Sequence, residues 1–141
     1  MEGGDSMQNR MKTVLIVDDI PYVRKTLKQI LSARGFKVVG EAENGEIAVQ
    51  LYQELQPEII TMDLVMPLVN GVEATRRILA INPDARIVIL SAMMQENLVA
   101  DAIMAGAKDY IIKPFQTDEV MKVMNQVSMM EASPRLSGGA A

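Results

Sequence analysis

The chain has 141 residues, 49% of them hydrophobic, with 18 acidic against 14 basic side chains and a net charge of −4. That length makes a single domain able to bury roughly 70% of the unfolded chain's surface, and the acidic balance, with no basic patch, argues against nucleic acid or an anionic membrane as main partner. The sequence contains neither Cys nor His. This excludes thiolate nucleophiles, disulfides, imidazole bases, Ser-His-Asp triads and a phosphohistidine of the chain's own, and leaves carboxylates, hydroxyls and lysines for any chemistry.

The opening MEGGDSMQNRM has no apolar core of a signal peptide, and no stretch approaches the roughly 18 apolar residues of a membrane span. The expected protein is soluble and cytoplasmic. Small polar residues predict a disordered tail over 1–11, a folded domain over 12–130, and a disordered tail or linker over 131–141. A first strand is expected at Val14–Val17, then a helix entered near Pro21 with Val23, Leu27, Ile30 and Leu31 on one face. A more polar strand follows over Phe36–Glu41, centred on Val38 and Val39, and then a helix marked by Ala48, Leu51, Tyr52 and Leu55. Next come a strand at Ile59–Met62, a helix through Val72, Ile78 and Leu79, and a strand at Ile87–Leu90. The last three elements are a helix over Asn97–Ala105, a strand at Tyr110–Ile112 and a helix over Asp118–Ser128. Gly35, Gly71 and Gly106 punctuate element ends, and Pro57 and Pro83 precede strands. Strands alternating with helices pair in parallel through right-handed crossovers. The fold class is therefore α/β: a flavodoxin-like (βα)5 three-layer sandwich with a five-stranded parallel sheet in order 2-1-3-4-5, which puts the polar second strand at an edge.

In such sheets the functional crevice lies beyond the carboxyl ends of the strands. Asp18 and Asp19 follow strand one, Asp63 follows strand three, Ser91 follows strand four, and Lys113 closes strand five just before Pro114. Taken singly, all but Asp63 have a plain structural role, whereas a carboxylate ending a buried apolar strand has no evident one. Asp18 or Asp19 could cap the next helix, as could Ser91, and Lys113 before Pro114 could be a solvated turn with a cis peptide bond. Taken together they crowd three carboxylates into one crevice, a costly arrangement unless a cation compensates. Mg²⁺ would neutralise three carboxylates and one lysine completely, and would still hold the cluster near −1 if one carboxylate became a phosphoryl dianion. Metal-dependent phosphoryl chemistry follows.

These residues resemble the receiver domain of bacterial two-component response regulators over about Lys12 to Ser128. The resemblance rests on VLIVDD at Val14–Asp19, MDLVMP at Met62–Pro67 with Gly71 beyond it, SA at Ser91–Ala92 and KPF at Lys113–Phe115. It implies that Asp63 is the phosphoacceptor and that Asp18, Asp19, Asp63 and the Val65 carbonyl are ligands of Mg²⁺. It also makes Lys113 the lysine that pairs with the phosphoryl group, Ser91 the switch hydroxyl, and Tyr110 the aromatic that changes rotamer with Ser91. The donor would be a phosphohistidine on a histidine kinase or a small acyl phosphate. The output would be altered protein binding, not catalytic turnover.

SAMMQ at Ser91–Gln95 and AGAKDYIIKPFQ at Ala105–Gln116, with no effector domain, are most similar to single-domain chemotaxis regulators. Their partners would be a flagellar motor switch component or a phosphatase. Met104, Tyr110 and Met121 mark the expected partner face, although most of the 12 methionines are expected as core filler. Asn70 stands where many relatives have Asp and is expected to cap the third helix. Apolar Val65 and Met93, where the family controls water access, imply a long-lived phosphorylated state. Two alternatives are a receiver cut from a multidomain regulator and a Mg²⁺-dependent phosphohydrolase. The second would usually place another Asp two residues after its nucleophile, where this chain has Val65.

Overall fold

A computed structural model describes residues 10–130 of the chain. The elements run in strict alternation: β1 (Lys12–Val17), α1 (Pro21–Ser32), β2 (Phe36–Ala42), α2 (Gly45–Leu55), β3 (Ile59–Asp63), α3 (Gly71–Ile81), β4 (Arg86–Ala92), α4 (Glu96–Ala105), β5 (Asp109–Lys113) and α5 (Thr117–Ser128). The five strands form one sheet in the order β2-β1-β3-β4-β5, every pair parallel. The expected fold class and the edge position of the polar strand are both observed. Pairing of β1 with β2 slips by one residue at Val39, so that Val14 faces Val38 but Leu15 faces Gly40.

Strands β1, β3 and β4 are buried on both faces, as their unbroken apolar runs require. Leu15, Val17, Ile60, Met62, Ile87 and Ile89 pack against α2, α3 and α4, through Ala48, Tyr52, Ala74, Ile78 and Ala102. The alternate residues Val14, Ile16, Ile59, Val88 and Leu90 pack against α1 and α5, through Leu27, Leu31, Val120, Met124 and Val127. Helix starts follow local chemistry. Pro21 opens α1, and Asn44 and Asn70 cap α2 and α3 by accepting from Ile47 N (2.8 Å) and Glu73 N (2.9 Å). Glu119 reaches back to Gln116 N at 2.9 Å to close the first turn of α5.

Methionine corrects an expectation. Among the described residues only Met62, Met66 and Met124 are buried, Met121 is half-buried, and Met11, Met93, Met94, Met104, Met129 and Met130 are exposed. The strands already fill the core with branched side chains, which leaves methionine to loops, helix flanks and the residues just after α5. Arg10, expected within the N-terminal tail, forks onto Glu58 with contacts of 2.9 and 2.8 Å. Glu58 also accepts from Thr13 N, and its carboxyl sits below the usual range chiefly because of the Arg10 hydrogen bond. Residues 1–9 and 131–141 of the two expected tails lie outside the described residues.

Gly71 ties the fold to the end of β3. Its N–H donates to Leu64 O at 2.9 Å, and a Cβ placed there would stand 2.0 Å from the Asp63 carbonyl oxygen. Gly35 is the opposite case: φ is +93°, but nothing lies within 4 Å of an added Cβ. Urea unfolding should accordingly show Gly71→Ala losing about 2 kcal/mol or more through backbone overpacking, and Gly35→Ala losing only about 1 kcal/mol through its left-handed φ. Equal losses would contradict this placement of α3 against Asp63.

Candidate functional site

Asp18 extends the β1–β2 pairing one step past the strand, its N–H donating to Ala42 O at 3.0 Å. Its Oδ1 accepts from Ile20 N at 2.9 Å, and its carbonyl accepts from Arg24 Nη1 at 2.7 Å. Arg24 is held in turn by Glu41 at 3.1 Å. The side chain of Asp18 thus engages the turn before α1; the N-cap of α1 is Ile20, so neither aspartate is the cap considered from sequence. Asp63 closes β3, and its Oδ1 accepts from Leu64 N at 2.9 Å. Because Val17 and Met62 are register partners on adjacent strands, the two acidic ends come together. One carboxylate oxygen from each of Asp18, Asp19 and Asp63 lies within 4.8 Å of the others. Asp18 and Asp63 are buried, whereas Asp19 is exposed.

Lys113, at the end of β5, crosses to this cluster. Its Nζ donates to Asp18 Oδ2 at 2.8 Å and to Asp63 Oδ1 at 3.2 Å. The Lys113–Pro114 peptide is cis, but the side chain is half-buried and paired, not a solvated turn. Desolvation, followed by the charge of Asp18, lifts the Asp63 carboxyl from an ordinary 3.8 to about 6 against the opposing pull of Lys113. Burial works against the Lys113 ammonium, but its hydrogen bond to Asp18 and the two carboxylate charges raise it overall. The donor set is anionic and all oxygen, which suits a hard divalent cation and not a soft one.

Ser91 is buried at the end of β4, where it pairs with Ile112 of β5. Its hydroxyl reaches Ala92 O (2.9 Å) and Gln95 Oε1 (3.0 Å), not Asp63. It does not cap α4, whose N-cap is Gln95. The side chain of Tyr110 is exposed and borders a cleft of ≈ 490 Å³ that also takes in Ser91, Met93, Met94 and Val99. Val65 stands two residues beyond Asp63 with its side chain exposed, as Met93 does two residues beyond Ser91. Of the expected partner-face residues, Met104 is 87% exposed, while Met121 packs half-buried against the α1–α5 side of the core.

Two contributors escaped the sequence analysis. Arg24 lies at helical spacing with the buried Leu27 and Leu31, and a basic residue on a core-facing stripe was the available signal. Gln95 carried none, since glutamine is not a preferred capping residue and its partners depend on the path of the loop.

A family model described as "Response regulator receiver domain" matches residues 14–125. The chain is 50% identical over 117 residues to the chemotaxis protein CheY of Thermotoga maritima, covering 83% of this chain and 98% of that one. It is 50% identical over 113 residues to CheY of Bacillus subtilis, covering 80% and 94%. Among solved structures it is similar to the CheX–CheY–BeF3–Mg complex of Borrelia burgdorferi, with a TM-score of 0.80 and 34% identity over 84% of this chain and 90% of that one. The response regulator domain of Thermotoga maritima CheB gives a TM-score of 0.79 at 34% identity, covering 86% and 99%.

The raised carboxyl makes stability depend on pH. The folded state holds the Asp63 proton up to about pH 6, the unfolded state only to about 3.8, so this contribution is complete at low pH and lost as pH rises through 6. Asp63→Asn, which cannot ionise, should therefore be more stable than the parent by about 1–2 kcal/mol at neutral pH without divalent metal. The gain should shrink below about pH 6 and vanish near 4. Urea titrations at several pH values check this, and a variant less stable than the parent at neutral pH would contradict it.

Proposed function

Since this chain belongs to the response regulator receiver family, a family of phospho-accepting signalling proteins and not of turnover enzymes, we propose that Asp63 accepts the phosphoryl group, with Lys113 and Ser91 serving it. The observation that carries this reading is the convergence of three carboxylates with Lys113 Nζ at 2.8 and 3.2 Å from the two buried ones. Asp63 is mostly ionised at neutral pH, with its ordinary value displaced only to about 6, and so is available as a nucleophile. Both hydrogen bonds to its carboxylate fall on Oδ1, which leaves Oδ2 for attack. Oδ2 bonds to phosphorus in line with the departing imidazole nitrogen of a phosphohistidine, or with the departing carboxylate of an acyl phosphate. Because the chain contains no His, the phosphohistidine belongs to a histidine kinase.

Asp18, Asp19, Asp63 and the Val65 carbonyl would hold Mg²⁺, which when bound supplies positive charge against the crowded carboxylates and the incoming dianion. Lys113 keeps a positive charge against the new oxygens, and the Ser91 hydroxyl supplies a hydrogen bond that bare Asp63 cannot use equally well. Movement of Ser91 toward the phosphoryl group makes room for the Tyr110 ring to turn into the cleft they share, withdrawing its phenol from the surface of α4, β5 and α5. That surface, with Met104, Tyr110 and Met121, is the partner-binding face in this reading. The relatives named chemotaxis protein CheY support chemotaxis as the pathway, and a flagellar motor switch component or a phosphatase as the partner. No helix among the described residues is long and apolar enough to cross a membrane, which accords with a cytoplasmic signalling protein.

Incubation with acetyl phosphate and Mg²⁺ should add one phosphoryl mass to the parent and none to Asp63→Asn; an adduct on both would overturn the assignment. Since apolar Val65 and Met93 cannot orient a water by hydrogen bonding, the adduct should decay with a half-life of minutes. Decay in seconds would contradict that.

A further inference from the structure

We infer that the Gln95 carboxamide is a latch that holds the two hydrogen-bond donors at the end of β4 away from an anion on Asp63, and so sets the threshold of the switch. The inference rests on the role of Ser91 proposed above.

Asp63 is in register with Leu90, so the next residues, Ser91 and Ala92, end β4 beside the crevice. The strand end offers two donors to an oxyanion arriving on Asp63, the Ser91 hydroxyl and the Ala92 N–H, once they are free of their present partners. Both meet one acceptor: Gln95 Oε1 lies 2.9 Å from Ala92 N and 3.0 Å from Ser91 Oγ, whose single proton has the Ala92 carbonyl at 2.9 Å as its alternative acceptor. The backbone N–H can only donate, which determines that the oxygen end of the carboxamide is the one turned inward. A hydroxyl has one proton, so Ser91 cannot serve Gln95 and a phosphoryl oxygen together. Gln95 occupies the N-cap position of α4, yet its side chain caps no helical N–H and folds back on the loop. The loop it closes holds Met94 at φ +72°, a left-handed conformation unfavourable for a residue with a Cβ. The latch thus works by competition. The anion must displace the carboxamide, and its apparent affinity is reduced by the fraction of molecules that are latched. Unlatching also releases the start of α4, which lines the cleft beside Tyr110.

The test is a beryllofluoride titration by calorimetry at saturating Mg²⁺ on the parent, Gln95→Met, Ser91→Ala and the double variant. Gln95→Met keeps the side chain's length and removes the acceptor. It should tighten beryllofluoride binding about three- to tenfold. The gain should shrink in the Ser91→Ala background, where one latched donor is absent. Mg²⁺ affinity measured alone should not change, because Gln95 touches none of the carboxylates. Amide exchange at Ala92 should accelerate in the free variant. Should Gln95→Met fold poorly, Gln95→Asn, which shortens the reach, should act in the same direction. Unchanged or weaker beryllofluoride binding by the Gln95 variants, with Ser91→Ala still weakening it, would overturn the latch and leave the role of Ser91 standing. No effect of Ser91→Ala would overturn both.

Discussion

The structure of the site depends on one ion triplet: the Lys113 ammonium held between the buried carboxylates of Asp18 and Asp63. Two carboxylates taken out of water side by side repel each other and each loses hydration, so the fold can hold them together only with compensating charge. Lys113 supplies part of it from the far side of the sheet, 95 residues from Asp18 in sequence. The compensation is incomplete: burial first, and the charge of Asp18 second, still hold the Asp63 carboxyl above its ordinary value. A site left with an excess of negative charge at neutral pH is one that a divalent cation relieves, and one in which an added dianion changes the local balance of forces.

Everything that positions this triplet follows from the parallel sheet. Order β2-β1-β3-β4-β5 sets β1 next to β3, so the carboxyl ends of the first and third strands open on the same crevice. The helices then anchor the loops. Arg24 on α1 clamps the Asp18 carbonyl and is itself held by Glu41 on β2, while Gly71 brings the start of α3 against the Asp63 backbone. Neither contact joins the ion triplet, yet both limit how far its carboxylates can shift, which matters where a displacement of an ångström changes catalytic positioning.

Strand β4 links the crevice to an exposed face of the fold. The hydrogen bonds of Ser91 end on its own loop in this conformation, through Ala92 and Gln95, and the same loop lines the cleft bordered by Tyr110. Helix α4 buries only Ala102 completely and leaves Leu98, Ile103 and Met104 exposed. Helix α4 is thus lightly anchored, next to a loop that Gln95 closes through Ser91 and Ala92.

The alternation of apolar runs was readable because strands and helices impose different periods. Val14–Val17 and Ile59–Met62 could only be buried strands between helices, and Asn70 before Gly71 was a legible cap. Once strand order was inferred, Asp18, Asp63 and Lys113 fell at one edge by geometry alone. Less was visible where a side chain's partner lies in another element. Arg10 on Glu58, Arg24 on the Asp18 carbonyl and Gln95 on Ser91 are choices of rotamer and loop path, and no spacing encodes them. The exposure of most described methionines was missed for a similar reason, because methionine suits both a core gap and a surface. By itself the sequence determined the fold, the crevice and the acidic residues within it, since these depend on periodicity and on where strands end. Only the tertiary structure decided how deeply each carboxylate is buried and what the Ser91 hydroxyl is bonded to, since burial and hydrogen-bond geometry exist only once distant segments have packed.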